Sequence, residues 1–483
     1  MGILQGLEPQ PVFKFFEEIC GIPHTSYHEK ALSDYCAAFA RERGLEHRQD
    51  EMGNVIIIAE ATPGYEEAEP VILQGHLDMV GDKTEDCSLD LEKDGLRLQV
   101  EGDYISAEGT TLGSDDGIAV AYALALLDAE DIPHPRLEVV LTVGEEVGLL
   151  GAAAVDLSMC RGRRLLNVDS EVEGILTAGC AGGVRVGCHV PVTRRTRSGV
   201  SFNVSLEGLK GGHSGMDIDK GRANANILMG RFLLLLRDRT EYGVVELSGG
   251  ARENVIPKSA SLVLVLKQEN TGALRAVAEE FRRQIEAEYK TADPGIRLIL
   301  EEGTVCEAET ADEDSLGRII DLLNLMPFGV QAMSADLPGL VETSANPGVM
   351  KLEADGVQMA LGVSVRSSVA SAKEQTARRA ALLTERLGGT AEFSGDYPAW
   401  PYARESKFRD LCAKVFEEQY GRKPEIVVIH AGLECGILSG KLEGLDCISI
   451  GPDLIDIHTP RERMSISSAE RVWEYIKAVL AAK

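Results

Sequence analysis

Five short segments of this chain place acidic and histidine side chains directly after apolar runs. Four of them lie between residues 75 and 169, and the fifth lies at residues 457–459. Ligands of open α/β sheets collect beyond the carboxyl ends of the strands, so side chains placed there are expected to converge. Convergence with the distant fifth segment requires a domain that is split by an inserted one. The segments are GHLD (75–78), GSDDG (113–117), GEE (144–146), NVD (167–169) and IHT (457–459).

The first part of the chain alternates strand-like and helix-like patterns. The small and apolar residues of the segment 117–127 (GIAVAYALALL) suit a buried helix. The alternation predicts an α/β sheet with parallel strands. His76, Glu145, Glu146 and Asp169 fall at or just after the ends of these strands. The predicted strands are residues 54–59, 70–75, 136–143 and 164–168.

From about residue 190 the pattern changes to two successive α+β units. Each is expected to form an open-faced sheet with helices on one side, because its strands alternate polar and apolar residues. The predicted strands are residues 201–206, 260–267 and 357–365, and the predicted helices are residues 223–237, 273–289 and 373–387.

The tail of the chain returns to the first domain after the segment PAWP (398–401). It is predicted to form a strand at residues 447–450 and a helix at residues 468–480 that Ser467 or Ser468 caps. The predicted organisation is a catalytic domain at residues 1–189 and 398–483, interrupted by an inserted domain at residues 190–397, for which the family resemblance described below implies a lid or dimerisation-type role.

The composition limits the kind of protein this can be. At 483 residues the chain exceeds one ordinary core, so two or three domains are expected. A formal net charge of −28 disfavours nucleic acid or an anionic membrane as a partner. The sequence has no secretory signal, no run that could span a bilayer, and ten cysteines without a Cys-x-x-Cys pair. It therefore predicts a soluble cytoplasmic protein with buried free thiols.

The side chains of the five segments suit a pair of divalent metal ions. Carboxylates interleaved with two imidazoles fit zinc-like ions better than magnesium or calcium. His76 ends a predicted strand, and Asp78, two residues later, points the same way in an extended chain. The Asp78 carboxylate can then bind the imidazole nitrogen that faces away from the metal and fix the tautomer.

Two acidic pairs have competing interpretations. Asp115 and Asp116 open the predicted helix, where an acidic residue is a common N-cap. Alternatively, the Asp115 carboxylate bridges two cations. Glu145 and Glu146 either lie in an exposed loop or divide two tasks. In the second case Glu146 binds metal, and Glu145 is the general base that takes a proton from the attacking water and passes it to the leaving nitrogen.

Asp169 repeats the strand-end position, and His458 supplies the second imidazole. The order His, Asp, Glu-Glu, Asp, His along the chain indicates a dinuclear metallohydrolase. His213 and His430 lie in glycine-rich segments that can bring a donor close to a substrate.

Eight motifs together carry a family resemblance. They are GHLDMV (75–80), LGSDDG (112–117), GEEVGL (144–149), NVDSE (167–171), KGGHSG (210–215), ENVIP (253–257), HAGLECG (430–436) and IHTP (457–460). They resemble the aminoacyl-histidine dipeptidases, the cytosolic Xaa-His or non-specific dipeptidases among the dinuclear zinc aminoacylase/carboxypeptidase-like metallopeptidases. The resemblance covers essentially the whole chain. The segment ETSANPG (342–348) is a looser version of the branch's sequence and is left out of the predicted site.

The resemblance implies a zinc-peptidase-like α/β catalytic domain, with a mixed sheet flanked by helices, that is interrupted by an inserted α+β lid domain. It also implies two metal sites that share one carboxylate. The implied ligands are His76, Asp115 and Asp169 for one ion, and Asp115, Glu146 and His458 for the other.

The resemblance assigns roles to residues beyond the metal ligands. Asp78 would orient His76, and Glu145 would be the base. The lid would supply His213 and Asn254 to the scissile carbonyl oxygen. Arg366 would bind the substrate carboxylate, a task that suits a bidentate guanidinium.

The predicted activity is metal-dependent hydrolysis of unblocked dipeptides, such as β-Ala-His, other Xaa-His dipeptides and broader dipeptides. The two ions are expected to be zinc, with cobalt or manganese as alternatives. An N-acyl amino acid deacylase, such as a desuccinylase, would use the same metal core. A peptide-binding relative without activity is disfavoured because every ligand is present. The expected partner is a small dipeptide, and a homodimer formed through the lid is compatible with the sequence.

Overall fold

The computed structural model describes residues 2–482. The chain divides into two compact units. The terminal unit consists of the described part of Met1–Cys180, together with Trp400–Val428 and the described part of Leu433–Lys483. The middle unit consists of Ala181–Ala399 and Ile429–Gly432.

The first segment of the terminal unit alternates helices and strands. Its elements are α1 (Gln10–Cys20), α2 (Lys30–Glu42), β1 (Glu46–Gln49), β2 (Val55–Ala59), β3 (Val71–His76), β4 (Leu98–Glu101), β5 (Tyr104–Ala107), α3 (Ser114–Asp128), β6 (Leu137–Thr142), α4 (Leu150–Ala154), β7 (Arg164–Asn167) and β8 (Ile175–Cys180).

The middle unit follows without a break. Its elements are β9 (Gly182–Pro191), β10 (Arg194–Glu207), β11 (Gly212–His213), α5 (Ala225–Arg237), β12 (Gly243–Gly249), β13 (Val255–Ile256), β14 (Ala260–Leu266), α6 (Thr271–Glu288), β15 (Arg297–Ala311), α7 (Glu313–Leu325), β16 (Gly329–Met333), β17 (Val341–Leu352), β18 (Gln358–Ser367), α8 (Ala370–Arg386) and β19 (Thr390–Tyr397).

The chain then completes the terminal unit. Its last elements are α9 (Lys407–Tyr420), β20 (Glu425–Ile429), α10 (Glu434–Lys441), β21 (Asp446–Ser449), β22 (Leu454–Ile455), β23 (Arg463–Ser465) and α11 (Ile466–Ala481).

The terminal unit is built on a mixed sheet with the strand order β1-β2-β6-β3-β7-β21-β8-β20. Strands β6, β3, β7 and β21 are parallel to one another, whereas β1–β2, β2–β6 and β21–β8 pair antiparallel. All residues of β2, β3 and β6 are buried, as expected for strands covered on both faces. The predicted α/β class with a mixed sheet is confirmed: the strands β6, β3, β7 and β21 are parallel, as the alternation of the first part indicated, and antiparallel strands flank them.

Helix α3 belongs to the core of the terminal unit. Its residues from Gly117 to Leu126 are all buried, because small and apolar side chains occupy every face of the helix. A helix that is apolar all round is stable only inside a core. Phe16 of α1, Val139 of β6 and Trp473 of α11 contribute to the same core.

The middle unit contains one nine-stranded sheet, not the two separate sheets that the sequence predicted. Its order is β15-β10-β14-β12-β17-β18-β9-β19, with β16 beside β17. The predicted halves join where β12 pairs with β17, with Leu247 opposite Leu352. Helices α5, α6, α7 and α8 contribute to a single apolar core with these strands. The two halves form one sheet because β12 and β17, which are far apart in sequence, pair through main-chain hydrogen bonds. The alternation of polar and apolar residues along each strand cannot reveal which strands pair.

The boundaries of the compact units differ from the predicted domain limits. The first change of unit lies between Cys180 and Ala181 and not after residue 189, and the second lies between Ala399 and Trp400 and not after residue 397. Ile429–Gly432 also groups with the middle unit. The cap of α11 is Ser465, whose side chain accepts the amide of Ser468, and not the predicted Ser467 or Ser468. Among the helices of residues 2–482, none combines the length and apolar character of a membrane span.

Candidate functional site

Three neighbouring strands of the terminal unit bring acidic and histidine residues to one edge of the sheet. Strands β6, β3 and β7 are adjacent and parallel, so their carboxyl ends meet. His76 is the last residue of β3. Glu145 and Glu146 follow β6, and Asp169 follows β7.

Each ring nitrogen of His76 faces at least one carboxylate. Its Nε2 lies 3.1 Å from Oδ1 of Asp115 and 3.7 Å from Oδ1 of Asp169. Its Nδ1 lies 2.9 Å from the main-chain oxygen of Asp78 and 3.5 Å from Oδ1 of that residue. Asp78 therefore lies on the side of the imidazole away from Asp115, a position from which it can orient the ring.

His458 contacts the other oxygen of the same Asp115 carboxylate. Its Nε2 lies 3.2 Å from Oδ2 of Asp115 and 2.6 Å from Oε1 of Glu146. Asp115 thus lies between two imidazoles, one facing each of its oxygens. This is the arrangement in which a carboxylate can bridge two cations.

Three groups of donor atoms in the terminal unit are close enough to hold a metal ion, and the atoms of each group lie within 4.8 Å of one another. One group, Asp115 with Glu146 and His458, matches a predicted set. The groups are Asp115, Glu146 and His458; His76, Asp116 and Asp169; and His76, Glu145 and Glu146.

Asp116 was not assigned by the sequence, and its contacts argue for a supporting role. Its Oδ2 accepts the main-chain amide of His76 at 3.0 Å. Burial raises the pKa of the Asp116 carboxyl well above its usual range. Because both imidazoles contact Asp115, Asp115 is the better candidate for the shared ligand.

The electrostatics of this cluster favour positive charge. Burial alone would lower the pKa of His458, but hydrogen bonds with Asp115 and Glu146 raise it to about 11. Burial would raise the pKa of Asp115, yet its hydrogen bonds with His458 and His76 hold it below the usual range. The Oδ2 atom of Asp169 is buried without a hydrogen-bond partner among the described residues. Imidazoles and carboxylates so arranged fit divalent ions such as zinc, cobalt or manganese.

Asp78 also fixes the loop that follows β6. Its Oδ1 accepts the amide of Glu145 at 2.8 Å, and its Oδ2 accepts the amide of Glu146 at 3.2 Å and the hydroxyl of Ser26 at 2.8 Å. Burial raises the pKa of the Glu145 carboxyl well above its usual range. One buried carboxylate therefore orients both His76 and the Glu145–Glu146 pair.

Two buried glutamates near the site were not predicted. Glu462 accepts the amides of Leu112 and Ser114 at 2.8 Å each, immediately before Asp115. Glu434 accepts the hydroxyl of Thr142 at 2.7 Å, and burial raises its pKa to about 7. Glu434 lies in the motif HAGLECG, but nothing in the spacing of either residue indicated its partners.

The three predicted substrate-binding residues lie close together within the middle unit. His213 pairs with Val255 between β11 and β13, and the amide of Ser214 donates to the main-chain oxygen of Asn254 at 2.9 Å. On β18, Nη2 of Arg366 lies 3.4 Å from Nε2 of His213. These residues are far apart in sequence, and strand pairing in the nine-stranded sheet and in the small β11–β13 ladder brings them close together in space.

The segment ETSANPG (342–348), which is not part of the predicted site, contacts this cluster. The hydroxyl oxygen of Ser344 lies 2.7 Å from Nε2 of His430. Nδ2 of Asn346 donates to the main-chain oxygen of Val255 at 2.9 Å. Burial, followed by the nearby Arg366 charge, lowers the pKa of His430 to about 4. His430 is therefore a neutral, buried member of the cluster.

Comparisons with known proteins agree with the family resemblance. The sequence profile of peptidase family M20/M25/M40 matches residues 72–482. The cytosol non-specific dipeptidase of Escherichia coli (strain K12) is 34% identical over 482 residues, covering 99% of each chain.

Two solved structures are similar to this chain to different degrees. The aminoacylhistidine dipeptidase of Vibrio alginolyticus superposes with a TM-score of 0.87 at 37% identity, covering 99% of this chain and 97% of that one. A tripeptidase of Staphylococcus aureus shares the fold, with a TM-score of 0.56 at 15% identity, covering 98% of each chain. The predicted resemblance and enzyme class are thereby confirmed: the chain belongs to peptidase family M20/M25/M40.

Proposed function

We propose that this protein is a dinuclear metallopeptidase that hydrolyses unblocked dipeptides, including Xaa-His dipeptides such as β-Ala-His. One observation carries the proposal. His76 and His458 contact opposite oxygens of Asp115, at 3.1 and 3.2 Å. The names of the Escherichia coli and Vibrio alginolyticus relatives support a dipeptide substrate.

The proposed metal ligands form two sets that share Asp115. Zinc is the proposed ion, and cobalt or manganese fits the same donors. The bound ions would polarise the scissile carbonyl and lower the pKa of the attacking water. The sets are His76, Asp115 and Asp169 for one ion, and Asp115, Glu146 and His458 for the other.

Glu145 is the proposed general base. Its loop is held by Asp78, and its buried carboxyl has a raised pKa, which suits a group that takes a proton from water and returns it to the leaving nitrogen. Asp78 orients His76 through the ring nitrogen on the other side from Asp115. In this proposal, Asp78 orients the metal ligand His76 and the base Glu145, and Glu145 transfers the proton.

The middle unit is proposed to recognise the substrate. Arg366 is buried with 8% exposure, and a guanidinium in that setting suits a carboxylate ligand. His213 and Asn254 are the proposed donors to the scissile carbonyl oxygen. A requirement for a free carboxy terminus would limit the length of the substrate.

The remaining proposals concern the setting of the enzyme. A cytoplasmic location is supported by the similarity to the cytosol non-specific dipeptidase of Escherichia coli. The names of the dipeptidase relatives support a small peptide partner, and the net charge of −28 argues against nucleic acid or an anionic membrane as a partner. A homodimer formed through the middle unit is the proposed assembly, and size-exclusion chromatography with light scattering tests it.

A substrate panel tests the proposed function. Purified protein is treated with a chelator, reloaded with zinc, manganese or cobalt, and given β-Ala-His, Gly-His and other dipeptides beside N-succinyl and N-acetyl amino acids. We expect metal-dependent release of free amino acids from the dipeptides. Release of succinate or acetate without cleavage of dipeptides would establish a deacylase instead. A protein that retains metal but cleaves neither class would contradict the proposal.

A further inference from the structure

A tyrosine and an arginine meet above a glycine in the sheet of the middle unit. Arg366 on β18 lies opposite Gly183 on β9, and Gly183 lies opposite Tyr397 at the end of β19. Residues directly opposite one another in adjacent strands project their side chains to the same face. Because Gly183 has no side chain, Arg366 and Tyr397 can reach one another across the central strand. Nη1 of Arg366 donates to the Tyr397 hydroxyl at 2.9 Å.

The space for the tyrosine ring depends on two glycines. A Cβ atom at Gly183 would lie 2.5 Å from the Tyr397 hydroxyl oxygen, and a Cβ atom at Gly432 would lie 2.7 Å from Cε2 of the ring. Both distances are far shorter than a van der Waals contact. The ring is therefore seated between two positions that only glycine can occupy without displacing it.

The main chain of Tyr397 is also anchored. The buried ammonium of Lys373 on α8 donates to the main-chain oxygen of Tyr397 at 2.7 Å and forms an ion pair with Asp396. The side chain of Lys373 is only 10% exposed. An anchor on the backbone and a fixed ring together determine the position of the hydroxyl.

The contacts of Arg366 leave it suited to an anionic ligand. Within residues 2–482 its polar contacts are with Tyr397 and with His213, and its Nε is buried without a hydrogen-bond partner. A buried guanidinium is costly unless its charge is compensated. A carboxylate would supply that compensation, and its two oxygens match the planar fork of the guanidinium. A phenol oxygen that accepts from this fork limits the rotation of the guanidinium.

We propose that Tyr397 is a positioning residue for substrate recognition, which orients the Arg366 guanidinium toward the carboxylate of the dipeptide. The inference rests on the proposed function, because the carboxylate is that of the proposed substrate. It adds a specificity residue that none of the sequence motifs contains. The hydroxyl of Tyr397 should matter only for substrates with a free carboxylate.

The test compares Tyr397→Phe with wild type on two substrates, a dipeptide and the same dipeptide with a carboxamide end. A hydrogen bond to a charged group is worth roughly tenfold or more in affinity. For the free dipeptide we expect KM to rise about tenfold, with kcat within about twofold of wild type. For the carboxamide we expect the two proteins to be equal. The matched control is Tyr242→Phe, which removes a buried hydroxyl of the same unit that donates to the main-chain oxygen of Leu233.

Two further variants separate positioning from stability. Gly432→Ala keeps the hydroxyl but displaces the ring, so it should give the same carboxylate-dependent rise in KM. In the background of Arg366→Lys, Tyr397→Phe should add less than in wild type, because residues that act through one another are not additive.

The outcomes distinguish the two proposals. If wild type cleaves dipeptides but Tyr397→Phe matches Tyr242→Phe, or weakens the dipeptide and the carboxamide equally, the positioning role is wrong and the proposed function stands. If wild type with metal cleaves no dipeptide, the proposed function fails and the positioning role fails with it.

Discussion

Glu462 binds both the amide and the hydroxyl of Ser114, at 2.8 and 2.6 Å. The same carboxylate accepts the amides of Leu112 and Gly113. These groups form the turn that leads into α3, immediately before Asp115. Oε1 of Glu462 also lies 3.5 Å from the amide nitrogen of Asp115, so Glu462 fixes the backbone from which the proposed shared metal ligand projects.

We expect Glu462→Gln to weaken metal binding without removing a ligand. The amide group of glutamine turns one acceptor into a donor, which faces main-chain amides that already need acceptors. Loss of a residue that supports a ligand typically costs roughly 10–100-fold in metal affinity. Competition with a chromogenic chelator measures the change. Glu470→Gln, at an exposed position of α11, is the control and should bind metal like wild type. Equal affinity in both variants would contradict the role of Glu462.

The sequence predicted the positions that depend on local pattern. Strand ends bring His76, Glu145 and Asp169 to one edge because hydrophobic runs mark the strands and parallel pairing aligns their ends. Glu462 could not be predicted, since its contact with Ser114 spans 348 residues of sequence and a lone acidic residue gives no pattern. The pairing of β12 with β17 was hidden for the same reason. Three serines within residues 465–468 compete to cap α11, and the end of β23 decides among them.

Thiol reactivity should reflect the burial of the cysteines. Eight cysteines are buried, and Cys87 and Cys306 are partly accessible. Burial raises the pKa of thiols such as Cys36 and Cys412 to about 12, which leaves almost no reactive thiolate near neutral pH. A chromogenic disulfide reagent should therefore titrate two thiols in the folded protein and all ten after denaturation. Cys87→Ser and Cys306→Ser should each remove one of the two. If close to ten thiols reacted in the folded protein, the burial of the eight cysteines would be wrong.

His430 should make the protein less stable in mild acid. Its pKa of about 4 lies below the ordinary 6.5 of imidazole because of burial and the nearby charges of Arg366 and His213, which outweigh the opposite effect of Asp219. The neutral ring is favoured in the folded state, so its contribution is complete above about pH 6.5. It is lost as the pH falls toward 4, by at most roughly 3 kcal/mol.

The comparison variant for this effect is His430→Gln, which keeps a polar group near the Ser344 hydroxyl. The unfolding free energy of wild type should fall more steeply than that of the variant between about pH 6.5 and pH 4, as measured by denaturant unfolding at each pH. His47→Gln, in the terminal unit, should retain the wild-type slope. Parallel curves for wild type and His430→Gln would show that the ring does not change its protonation on unfolding.

The division of tasks between two adjacent glutamates gives the sharpest test of the proposed chemistry. Glu145→Gln should lower kcat by about 10²–10⁴-fold, because the amide cannot take the proton from water, while the metal content stays near two ions per chain. Glu146→Gln should instead lower the metal content, because Glu146 contacts His458 at 2.6 Å within the second proposed ligand set. Metal analysis of both variants beside steady-state kinetics on one dipeptide distinguishes them. Loss of metal from Glu145→Gln, or full activity in it, would show that the base has been misassigned.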